Sequence, residues 1–371
     1  MMFRSRAPRP TPRRLVAAAT VGALVFAACG SGESSSNEPT EVTTDNVAGS
    51  ANDTTPGTTI NADGSSDTAP VATESTDEPI EAAVVVATTS IWADITANVA
   101  CDGLADVRMI IPPGGDPHSF EPSLRDRETM DNADLVIANG LFLEESLEDT
   151  IDAVESNGVP VLRVGDGLDP IPTSAHDDES DDHDHEGDDH DHGDADPHVW
   201  WDPTRIAAAA PLIAEAVADA GVDRGALDEC ATRYVDELTT LDAEVDAMVA
   251  PLPTDQRILV TNHDSLGYFA DRYDFEVLGS VIPSSSSLAA TSPAELDALA
   301  AEIVATGEPA IFADTQNSAD DAEALANRIG DVEVVSMLTD TLDEPGTDQG
   351  TYVGWLRQNV ETIVGALGGA S

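Results

Sequence analysis

The chain has no lysine at all. Its 16 basic residues are therefore all arginine, set against 71 aspartates and glutamates for a formal net charge of -55 over 371 residues. A polyanion of this kind repels a phosphate backbone, so nucleic-acid binding is excluded as a role. The same surplus suits a protein that handles cations in an extracellular setting. Aromatic residues are scarce at 4%, but hydrophobic residues reach 41%, carried by Ala and Val, which is enough to bury a core. No His-Glu-x-x-His pattern occurs, which removes the commonest helical signature of a zinc hydrolase. Cysteines number three, too few for a disulfide framework or a thiolate metal cluster.

What is present begins with a targeting pattern. Arg4, Arg6, Arg9, Arg13 and Arg14 form a basic leader, followed by an apolar stretch from Leu15 to Ala28 that is short for a bilayer span. It ends in Phe26-Ala27-Ala28-Cys29, small residues before a cysteine, as in a bacterial lipobox. The expectation is a lipoprotein signal over 1–28 and lipidation of Cys29; the alternative is an ordinary signal that happens to contain a cysteine. Export by the Sec or the Tat route stays open. Cys101 and Cys230 remain. In an oxidising compartment they can form a disulfide or stay as two buried free thiols.

Residues 29–82 are rich in Ser, Thr, Asp, Glu, Gly and Asn and have few large apolar side chains. Such a segment cannot offset its ordering entropy and reads as a disordered tether. As a flexible chain it reaches on the order of 40 Å. Beyond it, short apolar runs alternate with helical stretches. The run Ala83-Val84-Val85-Val86-Ala87-Thr88 suits a buried parallel strand. It is followed by a helix over 91–99, strands near 107–111, 134–138 and 160–164, and a helix over 143–156. After Pro203 come an Ala-rich helix to 220 and a longer one over 226–249. Strands at 258–261, 276–279, 310–313 and 332–336 then alternate with helices to the end. The pattern predicts α/β architecture: two parallel-sheet lobes, 83–222 and 252–371, joined by a linking helix over 223–251.

The eight histidines carry the chemistry. Five, His176, His183, His185, His190 and His192, lie in a low-complexity insert, 176–196, where they alternate with Asp and Glu. This insert is either a solvated acidic loop or an auxiliary collector of weakly held metal. The other three sit where strands end or helices begin, the edge at which open α/β sheets bind ligands. Imidazole nitrogen suits zinc, copper, nickel or iron better than calcium or magnesium.

The contexts of these three are distinctive: Pro117-His118-Ser119-Phe120-Glu121-Pro122, Asp196-Pro197-His198-Val199-Trp200-Trp201-Asp202-Pro203, and Thr261-Asn262-His263-Asp264 leading into Tyr268-Phe269. They resemble, in order, the motifs of the solute-binding lipoproteins of zinc and manganese ABC importers, the ZnuA/TroA-like family. The resemblance spans about 83–368. It implies a helical-backbone metal receptor with two lobes joined by a long rigid helix. His118 and His198 come from the first lobe and His263 from the second. The family's fourth ligand, a carboxylate, falls on Asp340, ahead of Gly350-Thr351-Tyr352. Three nitrogens and one oxygen lie within zinc's ordinary range. Manganese members tend to have a carboxylate at the position of His263, so Zn2+ is expected, with Mn2+ as the alternative. Asp314 matches a further acidic position, for which a hydrogen-bonding role is expected. The implied protein is a monomer and not an enzyme. It is extracytoplasmic, lipid-anchored to the membrane and partnered by an ABC importer permease. A surface adhesin or zinc buffer would need the same site. A metallohydrolase would need an open metal position beside a base.

Overall fold

The computed structural model describes residues 82–173 and 195–368. The leader, the tether, Cys29 and the five insert histidines lie outside the described residues.

The first lobe contains β1 (Ala83–Ala87), α1 (Ser90–Val99), β2 (Ala105–Met109), α2 (Leu124–Asp131), β3 (Leu135–Ala138), α3 (Glu148–Ser156) and β4 (Val161–Arg163). Two long helices follow, α4 (Pro203–Asp219) and α5 (Arg224–Val249). The second lobe contains β5 (Ile258–His263), α6 (Gly267–Tyr273), β6 (Glu276–Ile282), α7 (Pro293–Thr306), β7 (Ala310–Asp314), α8 (Asp320–Ile329), β8 (Glu333–Met337) and α9 (Tyr352–Gly368). The sheets are parallel, with orders β2-β1-β3-β4 and β6-β5-β7-β8. Each reverses direction beside its first strand, which opens a crevice at the carboxyl ends of the strands.

The period of two along each strand sorts its side chains between two packing layers. Val85 and Ala87 of β1 and Leu135 and Ile137 of β3 face inward; Val86, Val136 and Ala138 face an outer layer with α2 and α3. In the second lobe Leu259, Ala310 and Phe312 face inward, while Val260, Ile311 and Ala313 pack beneath α7 and α8. The two inward faces belong to one continuous core, filled by α4, α5, α9 and the aromatic side chains Trp201, Phe269, Tyr352 and Trp355. Trp201 and Trp355 have ring centroids 4.6 Å apart, and Trp201 and Phe269 5.9 Å.

The linking helix α5 has 26 residues, about 39 Å at 1.5 Å per residue. Asp223 caps it by accepting from Ala226 N. It buries Leu227, Tyr234, Leu238, Leu241 and Val245, the helical stripe visible in the sequence. Cys101, in the turn after α1, is disulfide-bonded to Cys230 on α5, which fastens this helix to the first lobe.

One element starts later than its sequence suggests. The helix expected from Leu143 begins at Glu148. Glu144 is fully buried, and its carboxylate accepts from Asn139 N, Gly140 N and the Thr88 hydroxyl at 2.6–3.3 Å. These bonds tie residue 144 to the ends of β1 and β3. The chain enters that position through Leu141 and Phe142 at positive φ, so no helical turn can form there.

Candidate metal centre

Four side chains, three from loops and one from the end of a strand, meet at the carboxyl edges of the two sheets. His118 follows β2, His198 follows the insert, His263 ends β5, and Asp340 follows β8. One potential ligand atom from each lies within 4.8 Å of all the others, and all four residues are buried. Their spacing suits a small cation. His198 Nε2 and His263 Nε2 are 3.2 Å apart, His263 Nε2 and Asp340 Oδ2 3.5 Å, and His198 Nε2 and Asp340 Oδ1 3.9 Å. Ligands about 2.1 Å from a tetrahedral ion sit about 3.4 Å from one another.

Local sequence builds each loop. In both Asp116-Pro117-His118 and Asp196-Pro197-His198 the aspartate Oδ1 accepts from the histidine's own backbone N–H, at 3.0 and 2.9 Å. The proline between them fixes φ, so each histidine is held on a closed turn. Gly115 lies against Ile111 and the Pro112 carbonyl, which leave no room for a Cβ.

Each imidazole also has a carboxylate behind it. Asp196 Oδ1 is 2.8 Å from His198 Nδ1, Asp314 Oδ2 is 2.7 Å from His263 Nδ1, and Glu145 Oε1 is 3.4 Å from His118 Nδ1. A carboxylate facing Nδ1 puts the ring proton there and turns the Nε2 lone pair toward the centre, as in metal-ligating histidines. For His118 the Glu145 contact is an ion-pair distance and not a hydrogen bond: both of its ring nitrogens, and Asp340 Oδ1, are buried with no hydrogen-bond partner among the described residues. Buried orphan atoms of this kind are costly unless a ligand satisfies them.

The electrostatics are uneven. Burial drives His198 down to about 3, only partly opposed by the charge of Asp340, so this ring is neutral. Burial also acts to lower His263, but the negative charges of Asp314 and Asp340 outweigh it and hold the ring up at about 10. His263 is thus an imidazolium, able to donate from Nε2 to the neutral His198 Nε2. Asp314 shows the reciprocal effect: burial raises it, but the charge and hydrogen bond of His263 bring it below the usual carboxylate range. Asp196 is raised by burial to about 7, against the His198 N–H that it accepts.

The four residues singled out from the sequence are therefore brought together, and Asp314 has the hydrogen-bonding place expected of it. Asp196 and Glu145 were missed. The repeated Asp-Pro-His tripeptide was a usable signal for Asp196. Nothing local to Glu145 sets it apart.

Comparison with known proteins places this architecture among two-lobed α/β solute-binding receptors. The solved structure of the periplasmic zinc-binding protein TroA from Treponema pallidum superposes with a TM-score of 0.67 at 29% identity, covering 77% of this chain and 99% of that one. A cadmium-bound periplasmic metal-binding protein from Candidatus Liberibacter asiaticus shares the fold, with a TM-score of 0.65 at 24% identity and the same coverage. In sequence, the zinc-binding protein TroA of T. pallidum (strain Nichols) is 30% identical over 292 residues, 76% of this chain and 88% of that protein. The manganese-binding lipoprotein MntA of Bacillus subtilis (strain 168) is 28% identical over 303 residues, 80% and 92% of the two chains. Residues 85–366 match the family described as ZnuA, zinc-uptake complex component A periplasmic, and the chain belongs to that family. Its members are solute-binding receptors for metal transport, not enzymes.

Proposed function

We propose that the protein captures Zn2+ through His118, His198, His263 and Asp340 and delivers it to an ABC importer permease outside the cytoplasmic membrane. One observation carries the reading. Three histidines each have a carboxylate facing Nδ1, and their Nε2 edges converge with an unpartnered carboxylate oxygen in a buried centre. Three nitrogens and one oxygen favour zinc over manganese, which prefers oxygen ligands and higher coordination. Manganese is the second reading, because several relatives are manganese-binding lipoproteins.

The lipoprotein names of these relatives also support an extracytoplasmic receptor anchored through Cys29. The division of the chain follows from this: leader 1–28, tether 29–82, first lobe 83–222 with its insert, linking helix 223–251, second lobe 252–371. The receptor acts as a monomer. The test is the metal content of protein purified without chelator or added metal, followed by Zn2+/Mn2+ competition. One Zn2+ per chain, lost in His198→Ala, is expected. Stoichiometric manganese, or no metal after exposure to both ions, would overturn the reading.

A further inference from the structure

The repeated Asp-Pro-His tripeptide of the first lobe is met twice from the second lobe, each time by one hydroxyl. In the first copy Asp116 Oδ1 accepts from His118 N at 3.0 Å, while Oδ2 accepts from Ser119 Oγ at 2.7 Å and Ser287 Oγ at 2.9 Å. Ser119 belongs to the same turn. Ser287 reaches it from the other lobe, out of the loop between β6 and α7. In the second copy Asp196 Oδ1 accepts from His198 N at 2.9 Å, and the Asp196 carbonyl accepts from the Tyr268 hydroxyl at 2.6 Å. Tyr268 stands on α6, five residues after His263.

The Tyr268 contact is closely built. Its buried hydroxyl gives its one proton to Asp196 and accepts from Ile171 N at 3.2 Å. A backbone N–H can only donate and a carbonyl only accept, so a phenol, which does both, fits between them. The Arg205 guanidinium lies over the ring, 4.8 Å from its centroid, and also donates to the carbonyls of Leu168 and Asp169. Gly267 lets α6 come this near, since a Cβ there would stand 2.6 Å from Asp196 Oδ2. Ser287 makes a simpler bond, but it donates to a carboxylate, the stronger kind.

We propose that Tyr268 and Ser287 are positioning residues for metal retention: each clasps one Asp-Pro-His turn from the opposite lobe, so that His198 and His118 stay aimed at the centre only while the lobes are together. A lobe movement that withdraws His263 and Asp340 breaks both clasps as well and frees the two turns. All four ligands then slacken in one event, and no ordered pair of histidines is left behind to keep the ion. Removing either hydroxyl therefore speeds release more than it slows capture. This rests on the reading of the four residues as ligands.

The test is the rate of Zn2+ release from the full chain into excess chromogenic chelator, with the unfolding midpoint of the metal-free protein measured alongside. The variants are Tyr268→Phe, Ser287→Val and Ser287→Thr. Valine and threonine share a shape, and only threonine keeps the hydroxyl. Tyr268→Phe and Ser287→Val are expected to release Zn2+ about tenfold faster, the scale usual for partners of metal ligands, and Ser287→Thr at the wild-type rate. Unchanged release in Tyr268→Phe and Ser287→Val, even with a lowered midpoint, would make the hydroxyls merely structural and overturn the proposal. So would a Ser287→Thr protein as fast as Ser287→Val. If Tyr268→Phe does not fold, the Ser287 pair decides. His198→Ala serves as the separate control: tight Zn2+ binding that survives it would overturn the ligand assignment itself.

Discussion

Metal capture by this centre should release about one proton near neutral pH, and that proton should come from His263. In the metal-free protein the His263 ring is held at about 10 by Asp314 and Asp340, and His198 at about 3 by burial. His263 Nε2 must lose its proton before it can coordinate, whereas His198 has none to lose. Each pH unit below the His263 value therefore costs tenfold in affinity, about 1.4 kcal/mol. Between pH 6.5 and 8.5 the apparent Zn2+ affinity should rise about 100-fold from this ring alone. Three ordinary histidines would behave differently, weakening capture only below about pH 6.5, with little further gain above it. The assay is calorimetry in buffers of differing ionisation enthalpy at pH 8, paired with chelator competition across the range. An affinity flat above pH 7, with no proton released at pH 8, would refute the charge assignment of the His263–Asp314 pair.

Four further outcomes are expected. Asp94, half-buried beside α9 and accepting from Tyr352 N at 2.9 Å, is raised by desolvation to about 6, against that N–H and with help from the like charge of Glu237. Its stabilising protonation is complete below about pH 4 and lost as pH rises through 6, so Asp94→Asn should add up to about 3 kcal/mol at pH 8 and little at pH 4, read from denaturant midpoints. Replacing Cys101 and Cys230 by Ser should lower stability by about 2–4 kcal/mol, measured the same way with and without a reductant on the wild type. Deleting residues 176–194 should remove weak additional metal binding while the tight calorimetric event persists; loss of the tight event would misplace the principal site. Cys29→Ala should shift the protein from the membrane fraction to the soluble one.

Most of the fold could be read from the sequence because parallel strands buried on both faces appear as short apolar runs, and Ser292, Asp223 and Ser123 mark helix starts by their own chemistry. The site was legible only in part. Proline-flanked loops identified His118 and His198 as held side chains, but the meeting of four chain segments rested on family resemblance, since spacing in sequence carries no distance across 222 residues from His118 to Asp340. The carboxylates behind the imidazoles were less accessible still. The same Asp-Pro-His tripeptide is wired differently in its two copies. Asp196 reaches both the backbone and the ring of His198, whereas Asp116 holds only the backbone of His118 and turns its other oxygen to Ser119 and Ser287. The ring of His118 is instead met by Glu145. That choice depends on tertiary neighbours, as does the unwinding of residues 141–147 around buried Glu144.

The core shared by the two inward sheet faces has a thermodynamic corollary. Because Trp201, Phe269, Tyr352 and Trp355 belong to the same apolar cluster as β1 and β3, neither lobe can melt without exposing the other's packing. Folding cooperativity then spans both lobes, and an ion held between them stabilises the whole described fold by RT ln(1 + [M]/Kd). Metal capture is therefore expected to raise the unfolding midpoint of both lobes together, in one transition.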